Sequence, residues 1–230
     1  LHCSSAASDV YKRQNYHLSN NEKAVANIFI GENFEGSPIP FTKEYFKISF
    51  LHSKDGKSKI KGRLGDIPAL NIKKMSQGLN VIQIESVTKY VEYEKLVKFE
   101  IFTREKGYPN LAQKHRENNY PENFFESYKR YAKSLISVEN FDGKDIDTNM
   151  DFELIFLDNP LKNLNESKRI LLEYKNKILA DHKVSIMSLN NGYFRKEYVR
   201  TNNGGYFDYI FKENTKYLIE SVVIIEGSNK

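Results

Sequence analysis

The sequence predicts a mainly β protein of two β-sandwich, immunoglobulin-like domains, the first carrying a helical insertion. Three observations predict it. β-Branched and aromatic residues recur in short runs, Gly, Asn and Asp punctuate those runs, and one central stretch shifts to helical spacing.

The first run holds Val25, Ile28, Phe29 and Ile30 and stops at Gly31. Further runs at 45–52, 79–86 and 90–93 are separated by turn formers at Asp55-Gly56-Lys57, Gly65-Asp66 and Gln77-Gly78. From Glu94 the pattern changes. Leu96, Val97, Phe99, Ile101 and Phe102 stand near helical spacing with Glu and Lys between them, and Gly107 can end the helix. A second helix is expected over 121–131, which sets the insertion at about 94–131, and 132–138 returns to strand. Residues 15–138 form the first predicted domain.

Asn140-Phe141-Asp142-Gly143-Lys144-Asp145 is polar and turn-rich, so 139–150 is expected to be a linker. Beyond it, strands are expected at 152–157, 169–174, 183–189, 193–199, 206–210 and 217–225. That density fits a small immunoglobulin-like sandwich over 151–230. Asn190-Asn191-Gly192 and Asn202-Asn203-Gly204-Gly205 supply the positive-φ residues that hairpins need.

The segment Ser4-Ser5-Ala6-Ala7-Ser8-Asp9-Val10-Tyr11-Lys12-Arg13-Gln14 reads as the in-frame translation of a transposase sequencing adapter. Residues 1–14 are therefore expected to be a non-native scar, with the fold beginning at Asn15. The full chain has 35 basic and 30 acidic side chains, net +5, and without Asp9, Lys12 and Arg13 the net charge is +4. Lys and acids are mixed along the chain, and no block of like charge reads as a nucleic-acid or membrane patch. Cys3 is the only cysteine, which excludes a disulfide framework and sulfur ligation in the remainder. No apolar run reaches the ~18–20 residues of a membrane-spanning helix.

Several short motifs then follow one another in a fixed order. They are Gly31-Glu32-Asn33-Phe34-Glu35-Gly36, Gly65-Asp66-Ile67-Pro68-Ala69, Gly78-Leu79-Asn80-Val81-Ile82, Arg104-Glu105-Lys106-Gly107 and Arg130-Tyr131-Ala132-Lys133-Ser134-Leu135. Phe152-Glu153-Leu154-Ile155 with Asp158-Asn159-Pro160, and Thr201-Asn202-Asn203-Gly204-Gly205, complete the series. Together they resemble the bacterial family of exported proteins known as domain of unknown function 4198, related to NikM-like components of nickel or cobalt uptake.

The resemblance implies a periplasmic or envelope protein, non-enzymatic, with a signal peptide ahead of Asn15 and a further strand past Ser228. It also implies divalent nickel or cobalt as cargo and a membrane uptake component or another envelope protein as partner. Two departures bear on the metal. A family His-acid-aromatic motif would fall upstream of Asn15, and Val223 stands where members carry a histidine. The alternative is a structural or protein-interaction module of the envelope with no metal role.

Among the residues themselves, His17, Glu32 and Glu35 are the candidate metal ligands, the two glutamates offering oxygens to a hard cation after the strand that ends at Ile30. His17, His52, His115 and His182 lack the His-x-His or His-x3-His spacing of a transition-metal site. His115 and His182 are expected at the solvated surface. Arg130 is expected to bond backbone or an acid at the inter-sheet corner, with Tyr131 in the core and Lys133 at a strand edge. Tyr206, Phe207, Tyr209 and Phe211 stand near strand period and are expected to be partly core. No Gly-x-Ser-x-Gly elbow, P-loop or dinucleotide fingerprint is present, and no carboxylate pair can be placed across a glycosidic bond. No nucleic-acid partner is expected.

Overall fold

A computed structural model describes residues 2–5, 9–11 and 16–227. The strands run β1 (His2–Ser5), β2 (Asp9–Tyr11), β3 (His17–Leu18), β4 (Ala24–Glu32), β5 (Glu35–Ile39), β6 (Phe46–Ser53), β7 (Gly56–Lys59), β8 (Leu70–Ile72), β9 (Gly78–Ser86) and β10 (Lys89–Tyr93). Two helices follow, α1 (Leu96–Glu105) and α2 (Leu111–Glu117). The second half contains β11 (Phe124–Val138), β12 (Phe152–Phe156), β13 (Ser167–Tyr174), β14 (Lys177–Ile178), β15 (Lys183–Asn190), β16 (Tyr193–Arg200), β17 (Tyr206–Ile210) and β18 (Lys216–Ile225). The protein is mainly β, and among the described residues no helix is long and apolar enough to cross a membrane.

Every run of β-branched and aromatic residues named above forms a strand. Helix α1 also forms where the spacing places it, burying Leu96, Phe99 and Thr103 and ending before Gly107, whose φ is 96°.

The expected helix over 121–131 is overturned. Phe124, Phe125, Tyr128 and Tyr131 mimic helical spacing, but the segment is the first half of the fifteen-residue strand β11. It pairs antiparallel with β10, Tyr128 opposite Lys89, and continues along β9, Lys133 opposite Gln83. Pairing overrides a weak local preference, as aromatic residues readily allow. The second helix lies earlier, at α2, around His115. There Ala112 and His115 turn inward.

One ten-stranded sheet runs β16-β15-β18-β1-β11-β9-β6-β7, with β10 and β3 also on β11. Strands β1 and β2 lie inside the stretch attributed to an adapter. β1 runs parallel to β11 and antiparallel to β18, and β2 pairs with β4. Residues 1, 6–8 and 12–14 of that stretch lie outside the described residues. Two four-stranded sheets, β12-β13-β14 with β17 on β13 and β2-β4-β5 with β8 on β4, cover the large one.

Two large hydrophobic cores result, beside two smaller clusters around the helices and β18. The first draws only on residues between Leu18 and Val138, among them Ile28, Leu70, Ile82 and Ile136. The second gathers Phe152, Ile170, Leu172, Val184, Ile186 and Phe207 around Tyr131. Neighbours on β11 divide between them, since Tyr131 belongs to the second core and Ala132 to the first. That division is what the alternation of a strand produces.

Candidate functional site

The predicted linker is held down by charge. Asp145 and Glu153 each reach the ammonium of Lys133, at 2.9 Å and 2.7 Å, and all three side chains are nearly inaccessible. Lys133 also donates to the carbonyl of Ile146 at 2.7 Å. The carboxylates are bonded further: Asp145 accepts the N–H of Phe156 (2.9 Å), and Glu153 accepts the N–H and hydroxyl of Thr148 (both 3.0 Å). Burial pushes both carboxyls above the usual carboxylate range, although Lys133 and these donors pull the other way. One ammonium cannot neutralise two buried carboxylates, and the upward direction follows. At Lys133 strand β11 pairs with β9 alone among the described residues, so the residue does stand on a locally open edge, but its side chain is turned into the network instead of out to water.

Beside this network opens a cavity of about 740 Å³. Tyr131, Lys133 and Leu135 of β11, Phe152 and Leu154 of β12, and Tyr217 and Ile219 of β18 form its walls, with Leu161 and Leu164 from the loop after β12. Its lining is chiefly aromatic and aliphatic, the usual character of a small-molecule site. Tyr131 donates its hydroxyl to Asp151 at 3.3 Å, and burial together with that carboxylate raises the phenol well above its ordinary value.

The sequence-predicted metal residues are dispersed. His17 lies on β3, opposite Ser137, and its ring stacks on Phe141 at 4.7 Å where both line the cavity. Glu32 and Glu35 are paired in backbone register across the β4–β5 hairpin, whose turn residues Asn33 and Phe34 have φ of 54° and 66°. Glu35 is exposed. Among the described residues no group of three or more His, Cys, Asp and Glu is placed to hold a metal ion. Gly31 and Gly36 are a cross-strand pair. A Cβ on Gly31 would stand 1.9 Å from the carbonyl oxygen of Glu35.

His115 and His182 depart from the expected solvated surface. His115 is buried among Phe99, Tyr120 and Phe124, with Nε2 2.8 Å from the carbonyl of Pro121. His182 is half-buried, Nε2 3.0 Å from the carbonyl of Val222, and burial lowers its pKa. His52 is buried with Nε2 2.7 Å from Oε1 of Gln83, and burial again lowers its pKa. Among the described residues the Arg130 guanidinium is bonded to neither backbone nor an acid: it donates to the hydroxyl of Tyr45 at 3.0 Å and lies over Tyr128. Phe207 and Phe211 are core as expected.

A family model described as Domain of unknown function (DUF4198) matches residues 5–224. The chain belongs to this family. Curated proteins offer no match to it. Several motifs of this DUF4198 chain turn out to pin the backbone. Asn80 is fully buried, accepts the N–H of Ser76 and donates to the carbonyls of Ser76 and Gly78 at 2.7 Å and 2.9 Å. Asn159 ties the loop after β12 to the carbonyl of Phe141 at 2.9 Å, and Asn202 accepts the N–H groups of Gly204 and Tyr206. None of these residues was singled out from the sequence for a site. Their signal was an Asn within two residues of a Gly or Pro, the composition of a turn.

Proposed function

We propose that this DUF4198 chain is an exported, non-enzymatic binding protein of the cell envelope that takes a small, largely apolar molecule into the cavity beside β11. The observation that carries this reading is the apolar lining of a cavity of about 740 Å³ between elements of both halves. Lys133, Asp145 and Glu153 are bonded to one another, which suits a structural network better than an acid–base pair. Export draws its support from the family resemblance and from the lack of cysteine after Cys3. The two cores are in keeping with a pair of sandwich units.

Among the described residues no group of three or more His, Cys, Asp and Glu is placed to hold a metal ion, and no step is assigned to metal. Anilinonaphthalene sulfonate is a suitable probe. Its fluorescence is expected to rise saturably on addition of the protein and to lose that rise in Leu161→Trp, where the indole fills the cavity. A non-saturable rise, or an equal rise in the variant, overturns the reading. Stabilisation by nickel or cobalt chloride in a thermal melt would restore the metal instead.

A second reading, a protein-interaction module, is favoured by β16. Among the described residues this strand pairs only with β15, and it exposes Tyr193, Phe194 and Tyr198. A partner recovered by crosslinking at Tyr193, with no probe bound in the cavity, would establish it.

A further inference from the structure

The positive charge of this protein is not evenly mixed, as the sequence first suggests, but concentrated at one end of the large sheet. The β6–β7 hairpin and the loop after it carry Lys54, Lys57, Lys59, Lys61 and Arg63, and the segment leading to β9 adds Lys73 and Lys74. Over residues 54–74 these seven cations meet only Asp55 and Asp66, a net +5. The whole chain has 35 basic and 30 acidic side chains, so the remaining residues hold 28 of each and are balanced. The entire excess therefore lies in this stretch.

The fold brings its parts together. Strand β7 ends the ten-stranded sheet, and all four of its residues are exposed. Ile60 is buried in the first core and its N–H donates to the carbonyl of Ser49 at 2.9 Å, which fixes the chain between Lys59 and Lys61. Ser76 Oγ lies 3.0 Å from Ser53 Oγ and also bonds Asp55, so Lys73 and Lys74 are tied to the hairpin turn. The six lysines are exposed, and none makes an ion pair with a described residue. Arg63 alone is paired, to Asp66 at 3.1 Å.

Within this cationic surface stand two bare aliphatic side chains. Leu64 is 72% exposed and Ile67 58%. Their loop is held by two backbone bonds to Phe41, from the N–H of Gly65 and to the carbonyl of Asp66, both 3.0 Å. Exposed aliphatics in a loop flanked along the chain by Lys61 and by Lys73 and Lys74 match the boundary of an anionic bilayer, where the chains enter the acyl region and the ammonium groups meet lipid phosphates. A nucleic acid would call for exposed aromatic rings to stack its bases, and the large exposed apolar side chains here are aliphatic.

We propose that residues 54–74 form a docking surface for an anionic membrane. The proposal is independent of the cavity reading. Co-sedimentation with vesicles of equal parts phosphatidylglycerol and phosphatidylcholine tests it, against vesicles of phosphatidylcholine alone. The full chain is expected to pellet with the anionic vesicles only and to be released at about 0.5 M salt. Lys57→Glu/Lys59→Glu/Lys61→Glu and, separately, Leu64→Ser/Ile67→Ser are each expected to reduce binding by about tenfold or more. All five side chains are exposed, so unchanged melting temperatures check that both variants fold. Failure to bind anionic vesicles, equal binding to neutral ones, or unaltered binding by the charge-reversed variant overturns the proposal. So does heparin binding together with full vesicle binding by the Leu64/Ile67 variant, which would indicate attraction to any polyanion.

Discussion

Lys133 Nζ lies 2.7 Å from Glu153 Oε1, joining the middle of β11 to the strand that opens the second core. With Asp145 at 2.9 Å the same ammonium fastens the connecting segment between them. Replacing Lys133 by Met would leave two buried carboxylates without a cation. The expected loss is on the order of 3–5 kcal/mol, read as a lower urea midpoint at neutral pH.

Asp145→Asn separates charge from packing. Because burial raises the folded-state pKa of Asp145 and Glu153, their protonated forms favour the fold. That contribution is fully present below the ordinary carboxyl pKa and is lost as pH rises through the raised values. The variant is expected to flatten this segment of a plot of melting temperature against pH, and an unchanged slope would contradict the assignment.

Histidines act in the opposite sense. Burial lowers the pKa of both His52 and His182, so the unfolded chain takes up protons first as the solution is acidified. Their stabilising contribution is present above the unfolded histidine value of about 6.5 and is lost as pH falls from there toward the depressed folded values. Urea titrations on either side of that value should show the decline, and His52→Gln or His182→Gln should each reduce it.

Gly31→Ala tests the β4–β5 pairing. A Cβ placed 1.9 Å from the carbonyl oxygen of Glu35 must push the strands apart, and a loss of roughly 2–3 kcal/mol is expected from backbone strain. Ser37→Ala, on an exposed residue of the same hairpin, should change stability by less than about 0.5 kcal/mol in the same denaturation assay.

What was legible beforehand follows the physics of each signal. Strands such as β9 and β18 carry apolar runs that need burial whatever the partner, and α1 carries its own spacing and stop. Strand β7 has no such mark: Gly-Lys-Ser-Lys is fully exposed and becomes a strand only because β6 offers an edge. The first half of β11 fits helix and strand alike until β10 is beside it. The network of Lys133 could not be foreseen either, because its partners lie 12 and 20 positions away and their closeness depends on the strap folding back. The cavity has the same origin, since its walls come from segments far apart in sequence.

Strand β11 has a mechanical consequence. At roughly 3.3–3.4 Å per residue, its fifteen residues make a rod about 50 Å long. Alternate side chains along it serve as a party wall, so that the cavity on one side and the first core on the other lean on the same peptide bonds. A scissor-like motion of the two halves about residues 139–150 would have to bend that wall or tear the Lys133 clasp from it. On the binding function proposed above, a ligand would reach the cavity past the loops at its rim and not by parting of the two halves.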